Sequence, residues 1–370
     1  MMRMTVLASG SKGNSAVIAS SRTRILVDAG LSCRELMRRM AAVGEDARAL
    51  DAILVTHEHA DHVSGLPVMA RKLGIPVYFT EATHRAWVRQ MTPRTTMSYK
   101  QWLEKTNREK QERLEAQALA HQIATASRLE DNQPLENFLA GDIDLDAAEG
   151  SDDALYGRSQ QENAPSEVDA TVDPSGALLS AADEDVCDDL SSETKKGLRE
   201  DPTYLPAVEY FRAGRHLSIG DIDILPFTIP HDAADPCGFV FSAEGLRFGY
   251  ATDLGYVPEN VKLALKNCDV LLIESNHDLE MLRDGPYPWS VKQRVLSRVG
   301  HLSNTAAAEF LTRDYDGGAR YVVLAHLSES NNMPELARLA AEQALGDRLS
   351  LLGNRVLLAP QSAPMESLCL

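Results

Sequence analysis

The chain has 370 residues, 44% of them hydrophobic, with a net charge of −17 and five cysteines. That is enough apolar content for a sizeable core in one large domain or two. No stretch approaches the ~18 consecutive apolar residues a membrane span needs. The start, Met1-Met2-Arg3-Met4-Thr5-Val6-Leu7-Ala8, reads as strand rather than signal peptide, so a cytoplasmic protein is expected, with no membrane partner. Cys33, Cys187, Cys237, Cys268 and Cys369 are scattered and lack CxxC spacing, which argues against a disulfide framework or a thiolate zinc site.

In chain order, Thr5 to Ala8, Ser15 to Ala19 and Arg24 to Asp28 read as strands, and Gly10-Ser11-Lys12-Gly13-Asn14 makes the first turn. The glycines of that turn would let backbone amides approach a phosphate, but a plain tight turn fits equally. Asp28 ends an apolar strand. It can orient a ligand histidine or cap the helix that runs from about Ser32 to Val43. The apolar run Ala52-Ile53-Leu54-Val55 then leads into His57-Glu58-His59-Ala60-Asp61-His62. Alternate side chains of an extended chain share a face, so His57 and His59 can point at one ion, with Asp61 and His62 a turn later at a helix start. Imidazole and carboxylate without thiolate suit Zn, Mn or Fe, and four ligands cannot saturate two ions. Open positions for water and substrate follow, which is the arrangement of a catalytic site.

A helix Val63 to Leu73, a strand Pro76 to Thr80 and a helix Glu81 to about Gln90 come next. There the β/α alternation stops. Ser98 to Leu129 has the pattern of a long charged helix, and Glu130 to about Ser192 is rich in Asp, Glu, Ser, Ala and Pro with few aromatics, a composition expected to stay disordered. From Asp131 to Glu193 there are 18 acidic residues and one basic, Arg158, so the whole net charge lies in this insert and the rest balances at 36 basic to 36 acidic. Two fates are open to such a segment: a passive solubilising loop, or a competitor of a polyanionic substrate for basic groups.

Strands resume at Val208-Glu209-Tyr210-Phe211 and Ile222 to Ile229, the second delivering Pro230-His231-Asp232. Gly238 to Ser242 and Leu246 to Ala251 lead to Asp253; a helix Glu259 to Lys266 and a strand Val270 to Glu274 lead to Ser275-Asn276-His277-Asp278. Trp289 and the basic run Lys292, Arg294 and Arg298 precede Gly300-His301-Leu302-Ser303-Asn304, where Ser303 or Asn304 caps a helix to Leu311. The strand Tyr321 to Leu324 ends at His326-Leu327-Ser328, followed by a helix Pro334 to Leu345 and a strand Arg355 to Ala359. Ligand-type residues thus recur at successive strand ends, where layered α/β folds form their sites. A lone strand-end histidine is usually structural. The series singles out His231, Asp253 and His326, while His84, His121 and His216 have no ligand company.

In order, Asp28, the His57/His59/Asp61/His62 loop, His231, Asp253 and His326 resemble the metal motifs of the metallo-β-lactamase-fold hydrolases, over about residues 4 to 92 and 203 to 360. Leu7 to Ser15, His231-Asp232-Ala233, Glu274 to Asp278, Gly300 to Asn304 and His326-Leu327-Ser328 look like the WalJ/YycJ group, whose members resemble DNA 5′-3′ exonucleases. The resemblance implies an α/β fold, an αββα sandwich formed by residues 1–92 and 203–370. Residues 93–202 would be an insertion, part helix and part disordered acidic chain, foreign to the group's pattern. It also implies two divalent metal ions, Zn or Mn, with His57, His59 and His231 on one, Asp61, His62 and His326 on the other, Asp253 bridging and Asp28 behind them. Asp61, Asp253 and His301 are the implied catalytic residues, and a hydroxide shared by the ions is the implied nucleophile. Asn14, Ser303, Asn304, Lys292, Arg294 and Arg298 are the expected substrate contacts, with Trp289 available to stack a base. A DNA phosphodiesterase is therefore expected; a thioester or lactone hydrolase on the same site is the alternative, and it would need no basic track.

Overall fold

In a computed structural model, residues 1–92, Arg108 and 201–370 are described. The long helix and the acidic disordered stretch expected within 93–202 lie outside the described residues, as do His121 and Cys187. The fold is built on two seven-stranded sheets. The first contains β1 (Arg3–Ala8), β2 (Ser15–Ala19), β3 (Arg24–Val27), β4 (Ala52–Leu54), β5 (Val77–Thr80) and β6 (Val208–Phe211), with the C-terminal β14 (Leu368–Cys369) added antiparallel beside β1. The second runs in reverse order from β13 (Arg355–Leu358) through β12 (Tyr321–Ala325), β11 (Val270–Glu274), β10 (Leu246–Ala251), β9 (Cys237–Ala243) and β8 (Ile222–Thr228) to β7 (Leu217–Ile219).

The two-residue period of the strands decides the layering. Ile25 and Val27 enter the core between the sheets, while Leu26 faces the outer helices; Phe239 and Phe241 enter it, while Val240 turns away. Val270 and Leu272 against Leu271 and Ile273 repeat the rule. Three apolar layers result, one between the sheets and one under each helical layer, which is the αββα sandwich. Truncating a fully buried aromatic such as Phe241 to Ala removes material from the central layer at a cost of about 3–5 kcal/mol.

The helices of the first layer are α1 (Cys33–Ala42), α2 (Ala60–Val63), α3 (Leu66–Leu73) and α4 (Glu81–Met91). Those of the second are α5 (Glu259–Ala264), α6 (Leu279–Asp284), α7 (Trp289–Val295), α8 (Asn304–Arg313), α9 (Pro334–Leu345) and α10 (Arg348–Leu351). Ser32 caps α1 by accepting from Glu35 N, and Ser303 caps α8 by accepting from Ala306 N. The helix expected from Val63 to Leu73 begins earlier and divides at Gly65, where an added Cβ would lie 2.0 Å from the Leu31 carbonyl oxygen. β7, β14, α6 and α10 are too short to show a period in the sequence.

Strands β3 to β6 and β10 to β13 pair in parallel, with crossover helices returning the chain each time. Their C-terminal ends therefore share one edge. Asp28 follows β3, His57 follows β4, Asp253 follows β10, Glu274 ends β11 and His326 follows β12. Residues 93–202 interrupt the chain between β5 and β6, adjacent parallel strands of one sheet. Among the described residues no helix is long and apolar enough to cross a membrane.

Candidate metal centre

His57 and His59 lie on the extended stretch after β4, which turns at His59 into α2, where Asp61 and His62 lie. His57 and His59 share a face, as the spacing requires. His57 Nε2 lies 3.1 Å from His59 Nδ1, and His231 Nε2 lies 3.2 Å from the same atom. The rear nitrogens of two of these rings are already committed. Thr56 Oγ1 donates to Asp28 Oδ2 at 2.8 Å, so it accepts from His57 Nδ1 at 3.0 Å; the Gly300 carbonyl accepts from His231 Nδ1 at 3.2 Å. Those tautomers turn Nε2 lone pairs of His57 and His231 toward His59. Lone pairs gathered at this distance repel unless a cation sits among them.

A second group forms beside the first. Asp61 Oδ2 lies 3.6 Å from His62 Nε2 and 3.7 Å from His326 Nε2. Again the rear nitrogens are tied: His62 Nδ1 donates to Asp28 Oδ2 at 2.7 Å, and His326 Nδ1 donates to Glu274 Oε1 at 2.8 Å. Asp253 stands between the groups, Oδ2 at 3.5 Å from His62 Nε2 and Oδ1 at 3.9 Å from His231 Nε2. Asp253 Oδ2 and His326 Nε2 are buried and have no hydrogen-bond partner among the described residues. A buried polar atom without a partner is costly, and here each points into a set of potential ligands, His57/His62/Asp253 and Asp61/His62/His326, whose atoms lie within 4.8 Å of one another. This donor set, nitrogen and oxygen without sulfur, fits divalent Zn or Mn.

The backbone is bent to build it. Asp28, Asp253 and His326 hold φ of 59°, 63° and 57°, left-handed conformations that side-chain-bearing residues rarely adopt. Each follows a parallel strand and reverses the chain so that the side chain enters the site. The close approach of Gly30 to the metal loop is equally specific, since a Cβ there would lie 1.7 Å from the Asp61 carbonyl oxygen.

Burial pushes the His57, His59 and His231 imidazoles down, neighbouring histidines adding to the effect in each case. They are thus held in the neutral form that binds metal. Burial acts the same way on His62 and His326 but is outweighed by surrounding carboxylates, Asp253 foremost, which raise both well above the ordinary value. Asp253 itself is held well below the carboxylate range, because His326 and His62 overcome the penalty of burial. Glu274, equally buried, is lowered to about 2 against that penalty by His301 and His326.

His301 joins the site through Glu274, its Nδ1 donating to Oε1 at 2.8 Å, with its ring centroid 5.2 Å from that of His231 and 5.0 Å from that of His326. The other expected substrate contacts divide. Asn14 is buried; its Nδ2 donates to Asp61 Oδ2 at 3.1 Å and lies 3.0 Å from His62 Nε2, so it braces the site. Ser303 is the cap of α8, and Asn304 is enclosed with Ser275 and Asn332. Lys292 is turned inward, Nζ donating to the Arg283 carbonyl at 2.7 Å, because it closes the end of α6. All four have internal partners for polar groups of their side chains. Arg294 and Arg298 remain on the surface, Arg294 on Asp232 and Arg298 over the Tyr256 ring at 4.4 Å, and Trp289 is 64% exposed. His84 lies away from the site, Nδ1 on the Tyr210 hydroxyl.

Two residues of the site gain a role of their own only in the structure. Glu274 accepts four hydrogen bonds, from His301, His326, Leu254 N and Leu302 N, and Thr56 links Asp28 to His57. For Glu274 the signal was available: an acid closing the apolar strand Val270-Leu271-Leu272-Ile273 is as anomalous as Asp28 after Ile25-Leu26-Val27. For Thr56, a threonine beside a strand end, there was none.

Comparison with known proteins shows the family and the fold. The metallo-beta-lactamase superfamily model matches residues 8–131, and the beta-lactamase superfamily domain model matches residues 169–327. Exodeoxyribonuclease WalJ of Streptococcus pneumoniae serotype 2 (strain D39) is 30% identical over 337 residues, covering 91% of this chain and 86% of that protein. Exodeoxyribonuclease YycJ of Bacillus anthracis is 29% identical over 347 residues, covering 94% and 90%. The crystal structure of the metallo-beta-lactamase fold protein YhfI from Bacillus subtilis superposes with a TM-score of 0.53 at 13% identity, covering 99% of this chain and 100% of that one; the likeness is one of fold.

Proposed function

This chain belongs to the metallo-β-lactamase superfamily, in the group of WalJ and YycJ, and from that premise we propose that it is a metal-dependent exonuclease acting on DNA from the 5′ end. The observation that carries the proposal is the convergence of imidazole nitrogens and carboxylate oxygens whose other atoms are tied to Asp28, Thr56, Gly300 and Glu274. His57, His59 and His231 would hold one divalent ion, Asp61, His62 and His326 a second, with Asp253 shared. Bound there, Zn or Mn lowers the pKa of water and stabilises charge on phosphoryl oxygens.

The chain's own residues supply the rest. Asp28 and Glu274 fix the tautomers of His62 and His326 so that Nε2 of each faces the site. His301, its Nδ1–H held by Glu274, is placed to carry a proton on Nε2 and deliver it to the leaving oxygen, with the carboxylate stabilising the imidazolium. Asp61 and Asp253 keep the negative charge that offsets two cations. The same reading places the protein with DNA in the cytoplasm. Zn- and Mn-loaded preparations should be offered 5′-phosphorylated DNA, a small phosphodiester and a thioester. Nucleotide release from the 5′ end of DNA is expected; thioester cleavage without DNA cleavage would overturn the reading.

A further inference from the structure

Of the three basic residues before His301, one is joined to the metal centre. Arg294 Nε donates to Asp232 Oδ2 at 2.5 Å, and Asp232 Oδ1 lies 3.4 Å from His231 Nε2, the nitrogen that faces His59. The rim that carries the pair is braced by backbone: Asp232 N donates to the Val299 carbonyl at 3.0 Å, the Gly300 carbonyl accepts from His231 Nδ1, and Ala234 N donates to Glu58 Oε1 at 2.9 Å. Yet the pair is open to water, with 63% of the Arg294 side chain and 27% of the Asp232 side chain exposed. The Arg294 Nη atoms make no hydrogen bond among the described residues. By contrast Lys292 is enclosed, and the Arg298 guanidinium lies over Tyr256.

We propose that Arg294 is the phosphate-binding residue of the active site and that Asp232 occupies its guanidinium until a substrate phosphate displaces it. The inference rests on the nuclease reading and adds to it a specific contact and an internal competitor. A carboxylate in contact with an exposed guanidinium gains little from the pairing, whereas a phosphate can take two N–H groups at once. Exchange therefore favours phosphate. A weakly charged ester or a neutral thioester gains nothing by displacing Asp232, so the pair selects for phosphodiesters at the mouth of the site.

The competitor model gives the two partners opposite signs, which a structural ion pair would not. The test is binding of a 5′-phosphorylated, phosphorothioate-linked DNA oligonucleotide to the full-length, metal-loaded protein, by fluorescence anisotropy across a salt series, with metal content measured for every variant. Arg294→Ala should weaken binding roughly tenfold and lower the salt slope by about one. Arg294→Lys should fall between, since it keeps the charge and loses the fork. Asp232→Asn should tighten binding by about 1.5- to 5-fold, the factor an exposed pair is worth, with metal content unchanged. Asp232→Asn in the Arg294→Ala background should do nothing. Weaker binding or metal loss in Asp232→Asn would make Asp232 part of the metal site and overturn the inference. If wild type binds and cleaves DNA while Arg294→Ala matches it, this inference alone fails; if wild type does neither, the nuclease reading fails with it.

Discussion

Glu274→Gln isolates the role of a buried carboxylate that accepts from four donors. In the native chain Oε1 accepts from His301 Nδ1 and His326 Nδ1, and Oε2 accepts from Leu254 N and Leu302 N. Glutamine keeps the shape but replaces one oxygen with an NH2 group. Placed toward Leu254 and Leu302, the amide would meet two backbone N–H groups that have no alternative, leaving buried donors unmet at about 1–3 kcal/mol each. Placed toward the histidines, it meets rings that can change tautomer. The second arrangement is therefore favoured, and it moves the His326 proton to Nε2, the atom that faces Asp61 and has no hydrogen-bond partner among the described residues. The fold survives and the ligand is lost. Loss of such an outer partner costs 10- to 100-fold in metal affinity, or about 1.4–2.7 kcal/mol. Chelator-competition titration of Zn reads the affinity, and thermal denaturation of the metal-free proteins reads the fold. The reasoning predicts weakened metal binding with a metal-free melting temperature closer to wild type than that of Glu274→Ala, which leaves all four donors unmet. Wild-type metal affinity in Glu274→Gln would refute it.

Gly30→Ala should distort the metal loop, because its Cβ would lie 1.7 Å from the Asp61 carbonyl and 2.6 Å from Asn14 N, both backbone atoms; a drop in metal affinity checks this. Lys292→Ala should lower the melting temperature, since Nζ closes the end of α6, while leaving the salt slope of DNA binding unchanged. Burial pushes the Cys237 and Cys268 thiols up to about 12, so at pH 8 only about one in 10⁴ of each is thiolate, and an alkylating reagent followed by mass spectrometry should modify exposed Cys369 before either of them. Since the folded state retains these protons more tightly than the unfolded chain, the two thiols should make stability fall as pH rises from about 8.5 toward 12, measurable by urea denaturation and diminished in Cys237→Ser.

Much of the fold was written in local periodicity. β2, β3, β9 and β11 are short apolar runs with turn residues at their ends, and after β4, another such run, His57, His59, Asp61 and His62 put four candidate ligands in six positions. What stayed hidden depended on distant partners. β14 is two residues long and exists because β1 offers an edge; α6 is a single short helix ahead of Gly285-Pro286, too brief to show a period. Lys292 reads as one of three exposed cations because nothing local reveals that Arg283 O will sit above it. Asn14 and Asp61, 47 positions apart, meet only once the first turn and the metal loop share a sheet edge.

The central claim is that these converging side chains hold two metal ions with Asp253 between them, and native mass spectrometry of the metal-loaded protein beside its Asp253→Ala variant tests it most directly. The account predicts two ions on the wild-type chain and their loss from the variant, because without the carboxylate that reaches toward His62 and His231 two cations would lie close together without a shared negative charge. Two ions retained by Asp253→Ala, or a wild-type chain that takes up none, would contradict it.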